Sequence, residues 1–296
     1  MQPPFYIITR PFGVLGSGEI ASLASQQLRR AFKTMQVSQY PLVGGEAGTL
    51  EQLVTATLGS FLEVEATAAM GEQLIVPIGF VGDGGSPGII EMAQIARRPD
   101  EALHKKRNAK SKEFDFWGST FGIGELIQDV LDEGAHSVLL GWEEPLAKDA
   151  GFGMAQSLGV KFLDKGGKEL DFKSATPLRD IASIDLSGRS FQLLSSSFFL
   201  LRSEGIAPVK RSQQVSVDDL VYEQELSRLA EIIRRDLGIQ ATLPDIDYSG
   251  SCIEFGASVF LSAKIVDGSE TALTVTGLEG KLAASGGTVF FFADQL

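Results

Sequence analysis

Ser119 to Asp164, STFGIGELIQDVLDEGAHSVLLGWEEPLAKDAGFGMAQSLGVKFLD, is the stretch that most constrains the fold of this chain. Leu126, Ile127, Val130 and Leu131 recur at helical spacing, and Gly134 supplies a stop after Asp132 and Glu133. Val138, Leu139 and Leu140 form a short apolar run suited to a strand covered on both faces. Gly141 then opens a loop carrying Glu143, Glu144, Lys148 and Asp149, and a second helix is predicted from about Gly151. Glycine loop, helix, buried strand, polar loop, helix and strand in that order describe an α/β sheet. Ligands of such sheets sit outside the carboxyl ends of the strands, which makes the loop after Gly141 the first place to look for chemistry.

The flanking sequence extends this pattern. Phe5 to Ile8 reads as a first strand, followed by Gly13, Gly16 and Gly18 and a helix from about Glu19 to Lys33. A glycine turn between strand and helix suits an anion, because loop amides and the helix start point outward. Thr49 and Gln52 form a capping-box pattern after the turn Gly44–Gly48, with Gly59 as the helix stop. Residues 61–67 and 74–80 alternate in polarity and predict antiparallel strands, leading through Gly88 to Ala93 towards a helix. Glu91 is expected to cap the next helix. A long helix over Val217–Leu237, opened by Ser216, carries an apolar stripe that includes Val221 and Leu237, and the tail GGTVFFFADQL predicts one more strand.

Composition narrows the function classes. The 296 residues carry 26 Lys and Arg against 38 Asp and Glu, a formal net charge of −12 that repels phosphate backbones and argues against nucleic-acid binding. No apolar run reaches membrane-helix length, and MQPPFYIITR lacks the layout of a secretion signal. Cys252 is the single cysteine, so a reducing, cytoplasmic compartment is expected. His104 and His136 are the two histidines, too few for a histidine-built metal site. Most local positive charge falls in the run 97–112, which reads as a solvated face, an anion-attracting rim or a docking surface for an acidic partner.

The pieces GIGELIQDVLDEGAHSVLLG and DAGFGMAQSLGVKFLD resemble the bacterial type of glycerate kinase, which reads YGTGELI, an ALDxGA helix and GGSATNDGGAGMxxALGVxFLD. The resemblance extends to PLVGGEAGT against PxADGGEGT and to LTVTGLEGK against LVITGEGR, with Lys281 where the family has arginine. At least four loops depart from the pattern, among them the following. Trp142 to Lys148 replaces the glycine-serine loop, Val14 and Leu15 stand where a PDSFKGS-type loop has its lysine, and Ile253 and Glu254 replace glycines of GAAGGLGAG.

This resemblance implies two α/β domains: a flavodoxin- or Rossmann-like parallel sheet over residues 1–60, 115–155 and 260–296, and an inserted mixed domain over 61–114 and 156–259. The central strand is thereby grouped with the first one. The resemblance further implies ATP- and Mg²⁺-dependent phosphorylation of glycerate or a related small hydroxy acid. Asp149 is then the base or metal ligand, with Lys148 and Glu46 as further catalytic candidates. Glu143 and Glu144 stand near them, and Arg10 is another cation for phosphate. Ser17, Gly45, Gly48, Gly122, Gly124, Gly277 and Lys281 are the implied nucleotide-binding positions. The altered loops keep a second reading open: a catalytically inactive pseudokinase of the same fold, binding a metabolite or acting as a protein-interaction subunit. A homodimer is a further expectation, because an exposed terminal strand invites pairing.

Overall fold

The computed structural model describes residues 4–10, 16–42, 44–82, 86–96, 118–142, 147, 149–173, 178–202, 217–241 and 253–292. Gly13, the run 97–112 with His104, Glu143, Glu144, Lys148, Ser216, Gly250 and Cys252 lie outside them.

A three-stranded parallel sheet gathers the two ends of the chain. It has the order β11-β1-β2, where β1 is Phe5–Thr9, β2 Val37–Pro41 and β11 Thr288–Phe292. Alternation along β1 sends Phe5 and Ile7 against helix α1 (Ser17–Ala31), whose Ala21 lies in the same cluster. Tyr6 and Ile8 point the other way, towards Tyr40 and Leu278 at the start of α10 (Leu278–Ser285).

The larger sheet has six strands in the order β10-β9-β6-β5-β4-β3. Its antiparallel part is β3 (Ser60–Thr67) and β4 (Gln73–Phe80); β5 (Gly88–Glu91), β6 (Ser137–Gly141), β9 (Ser197–Arg202) and β10 (Lys264–Asp267) run parallel. Helices cover both faces. Val138 and Leu140 of β6 pack towards α4 (Phe121–Asp132), whereas Leu139 faces α2 (Thr49–Ala56). The short α3 (Ala93–Ala96) follows β5, α6 (Phe191–Ser195) precedes β9, and α9 (Gly268–Thr276) joins Ala272 to the α2 side.

A third cluster surrounds the antiparallel pair β7 (Lys161–Leu163) and β8 (Ser183–Asp185). Phe152 of α5 (Phe152–Ser157), Leu229 and Ile233 of α7 (Val217–Leu237) and Phe260 of α8 (Ile253–Leu261) meet there.

Several expectations need correction. The strand Ser137–Gly141 pairs with β5 and β9, not beside β1. Its apolar residues meet α4 on one face of that sheet and α2 on the other. Gly122 and Gly124 are not a loop but the first turn of α4. Thr49 does not cap α2: Gly48 is the cap residue, and the Thr49 hydroxyl donates to the Glu46 carbonyl at 2.6 Å while accepting the Gly45 N–H at 3.2 Å. Val221 of the α7 stripe is exposed, because the cluster reaches the helix through Leu226, Leu229, Ile232 and Ile233.

Candidate functional site

The turn Gly44–Gly48 joins the carboxyl edges of both sheets. On the small sheet, the Thr9 hydroxyl donates to the Ser17 carbonyl at 2.8 Å, Ser17 Oγ donates to the Leu42 carbonyl at 3.3 Å, and the Leu42 N–H returns to Thr9 at 2.7 Å. Ser17 and the first turn of α1 are thereby fixed at the strand ends, where helix amides lack internal acceptors. On the large sheet, a Cβ on Gly45 would overlap the Leu201 carbonyl and lie 3.0 Å from the Trp142 N–H, and a Cβ on Gly268 would overlap Gly44. Gly45 also has a φ of +119°, a region only glycine enters freely. Glycine is therefore required here for close approach: it lets one turn touch the ends of β6, β9 and β10 at once.

Side chains around the turn are mostly engaged. Glu46 Oε2 accepts the Gly44 N–H at 2.7 Å, which folds the turn on itself. Glu91, 7% exposed at the end of β5, accepts the Leu50 N–H at 3.3 Å. It thereby caps α2 across the sheet. Gln52 Nε2 lies close to both Gly18 and Gly48, between the starts of α1 and α2. A groove of about 440 Å³ opens beside Gly48 and Glu91 and extends past Gln94 to Phe61 and Pro77.

Asp149 stands deeper. Only 6% exposed, it receives the Thr120 N–H at 2.8 Å, the Thr120 hydroxyl at 2.9 Å, and the Gly151 and Gly153 N–H groups at 3.1 Å each. Thr120 Oγ1 in turn accepts the Met154 N–H at 2.9 Å. One carboxylate therefore ties the N-termini of α4 and α5 together, where the helix dipoles favour negative charge. Burial raises the Asp149 carboxyl above its usual range, against the pull of these donors. With both oxygens committed to four protein donors, Asp149 does not fit a Mg²⁺ ligand, which must offer a lone pair to the ion.

Gly122 and Gly124 also face protein. A Cβ on Gly122 would overlap the Thr67 carbonyl of β3, and one on Gly124 would overlap Ser157 and Met154 of α5. Both are close-packing positions, and neither leaves room for a nucleotide. Gly277 caps the end of α9 in a left-handed conformation, roughly 13 Å along that helix from the Gly268–Gly44 contact. Lys281 lies on the small sheet with Nζ 5.4 Å from the Tyr40 ring, near the carboxyl end of β2. The Arg10 N–H continues the β1–β11 ladder by donating to Phe292 at 2.9 Å. The structure thus gathers Ser17, Gly45, Gly48 and Glu46, sets Lys281 and Gly277 apart on α9 and α10, and places Asp149, Gly122 and Gly124 in the interior. Among the described residues no cluster of three or more metal-ligating His, Cys, Asp or Glu forms, and no helix is long and apolar enough to cross a membrane.

Sequence reasoning misses a group on the large-sheet side. Trp142, at the end of β6, is 5% exposed, and its indole N–H has no acceptor among the described residues. The Arg202 guanidinium, at the end of β9, lies 5.9 Å from the Trp142 ring centre. Glu254, in the first turn of α8, has a buried Oε1 without a donor among the described residues. Burial raises its carboxyl above the usual range, while the charge of Arg202 lowers it. The backbone of α8 reaches the loop before α5: the Ile253 carbonyl would lie 3.3 Å from a Cβ on Gly151. The sequence signal was Glu254 standing where the resemblance has glycine. Arg202 gave none, because it simply ends an apolar strand.

The glycerate kinase family model matches residues 12–289. The chain is 28% identical to a glycerate kinase of Halalkalibacterium halodurans, over 87% of this chain and 68% of that protein. It is 27% identical to the glycerate 2-kinase of Escherichia coli K12, over 90% of this chain and 70% of that one. A crystal structure from Salmonella typhimurium LT2, described as that of a glycerate kinase 2, superposes with a TM-score of 0.78 over 98% of this chain and 78% of that one, at 23% identity. With a fold of two α/β domains and a family match along nearly its whole length, this chain belongs to the glycerate kinase family.

Proposed function

We propose that the chain transfers a phosphoryl group from ATP to a small hydroxy acid of the glycerate class. The observation that carries this reading is the convergence of both carboxyl edges on the Gly44–Gly48 turn: Ser17 at the start of α1 bonds Leu42 just before it, and Gly45 within it packs against the ends of β6 and β9. ATP supplies the phosphoryl group. Ser17, Gly45 and Gly48 form the phosphate-facing side. Such transfer depends mainly on positioning and on stabilising charge, both of which helix starts and fixed cations provide. Asp149 serves by positioning, since it holds the starts of α4 and α5 together.

Thermal-shift titration with Mg-ATP, ADP and glycerate, alongside an ADP-release assay, tests the reading. A ligand at a hundred times its Kd stabilises by about 2.7 kcal/mol, a rise of several degrees for a chain of this size. Stabilisation by nucleotide with glycerate-dependent ADP release is the expected result; silence in both measurements overturns it. The commitment of the Asp149 carboxylate favours a second reading, a metabolite-binding pseudokinase. Stabilisation by both ligands without ADP release would select it.

A further inference from the structure

We propose that Trp142, Arg202 and Glu254 form the binding site for a small α-hydroxy carboxylate, in which Arg202 and the Trp142 indole N–H hold the carboxylate and Glu254 receives the hydroxyl proton. The inference rests on the phosphotransferase reading for the proton step alone; the carboxylate site stands without it.

Three observations carry it. First, a buried indole N–H without an acceptor costs free energy unless something supplies that acceptor. Trp142 is almost wholly enclosed at the carboxyl end of β6, where α/β sheets place their ligands. Second, the guanidinium beside it carries five N–H donors in a fixed fork that matches a carboxylate. Third, Glu254, whose carboxyl feels the charge of Arg202, has a buried oxygen with no donor among the described residues. Donor, cation and under-satisfied carboxylate therefore meet at the ends of β6, β9 and the start of α8. Their chemistry complements a ligand bearing a negative carboxylate and a neighbouring hydroxyl. Glycerol offers the hydroxyls without the charge, and propionate the charge without the hydroxyl.

In the transfer step the substrate hydroxyl oxygen forms a bond to the γ-phosphorus of the nucleoside triphosphate. The bond from that phosphorus to the bridging oxygen breaks, and the diphosphate leaves with the electron pair. The hydroxyl proton passes to the Glu254 carboxylate, which returns it to solvent after the phosphoester departs. A positioned general base of this kind contributes typically 10²–10⁴-fold to rate.

Calorimetric titration of the full chain with glycerate, glycerol and propionate reads the site directly, with Trp142→Phe, Arg202→Lys, Arg202→Gln and Glu254→Gln checked for folding by circular dichroism. The expected result is binding of glycerate, weaker binding of propionate and none of glycerol. Arg202→Gln should weaken glycerate at least tenfold, Arg202→Lys less, and Trp142→Phe by about tenfold. Glu254→Gln should leave the glycerate Kd within about threefold while ADP release falls at least a hundredfold. If nucleotide neither binds nor is turned over, the phosphotransferase reading fails, yet selective loss of glycerate binding in the Arg202 and Trp142 variants still supports the site. If wild-type protein ignores glycerate, or if folded Arg202→Gln and Trp142→Phe bind it unchanged, the site is overturned even when ATP binds normally. Undiminished ADP release by Glu254→Gln removes Glu254 from the proton step.

Discussion

Asp149 and Glu254 are both carboxylates withdrawn from water, and the backbone on which they ride comes into contact at Gly151 and Ile253. Burial raises the proton affinity of each. They differ in what surrounds the oxygens. Asp149 is saturated by four donors from two helix starts, whereas Glu254 keeps a buried oxygen unmatched among the described residues and has a guanidinium within electrostatic reach. A carboxylate saturated by backbone is a fastener, and replacing it breaks the fold. One left unsatisfied costs stability as it stands, and replacing it alters chemistry more than folding. Desolvation alone therefore does not distinguish a catalytic acid from a structural one; the inventory of donors does.

The largest test of this contrast is Asp149→Asn. The amide keeps the shape but turns one acceptor into a donor facing backbone N–H groups, so a satisfied network becomes a repulsive one. A loss of about 3–5 kcal/mol is expected, the scale seen when one partner of a buried charged interaction is removed. Urea unfolding measures it directly. A loss below about 1 kcal/mol would mean that Asp149 is not the tie between α4 and α5.

Gly122→Ala comes next. Its added methyl would collide with the Thr67 carbonyl, which belongs to backbone and cannot rotate away. Overpacking of this kind costs about 1–3 kcal/mol. Were Gly122 instead a nucleotide-binding residue facing open space, the same substitution would leave the midpoint unchanged and weaken ATP binding.

These two residues also show how far the sequence was legible. Helical periodicity over Leu126–Leu131 and the apolar run Val138–Leu140 identified α4 and β6, because both signals are local. The partners of β6 were not legible: alternation and burial do not encode which sheet a strand joins, and β6 lies between β5 and β9. Gly122 and Gly124 belong to a motif that a reader associates with ligands, yet their role is fixed by β3 and α5, residues distant in the chain. The same holds for Asp149. Its residue type and its place in a loop suggest chemistry, and only the hydrogen bonds from Thr120, Gly151 and Gly153 reveal a structural tie. Glu46, Gly45 and Ser17 were more legible, because a strand–turn–helix unit places its turn at the carboxyl edge by construction.

Thr120→Val sharpens the contrast from the donor side. Valine nearly preserves the volume but removes the hydroxyl that Asp149 accepts and that itself accepts the Met154 N–H. A buried N–H would then lack a partner, at about 2 kcal/mol. Thr120→Ser, which keeps the oxygen, should recover more than half of that loss in the same unfolding experiment. Equal losses in the two variants would assign the effect to packing of the methyl group.

The smallest expected effect lies at Glu254, and its sign depends on pH. The folded-state carboxyl is raised above its ordinary value of 4.5 by burial. The folded protein therefore binds the proton more tightly than the unfolded chain does. By linkage, the stability that Glu254 contributes is fully present below its unfolded value and is lost as pH rises through its folded value. Glutamine cannot ionise and escapes that loss. Melting of wild type and Glu254→Gln should coincide near pH 4, and the variant should become the more stable as pH climbs above the ordinary value of 4.5. Asp149→Asn should remain the less stable protein throughout that range, because no ionisation of the variant restores an acceptor to the helix starts. Parallel pH profiles for wild type and Glu254→Gln would show that Arg202 already compensates the glutamate charge fully, and would place Glu254 with Asp149 among the saturated carboxylates.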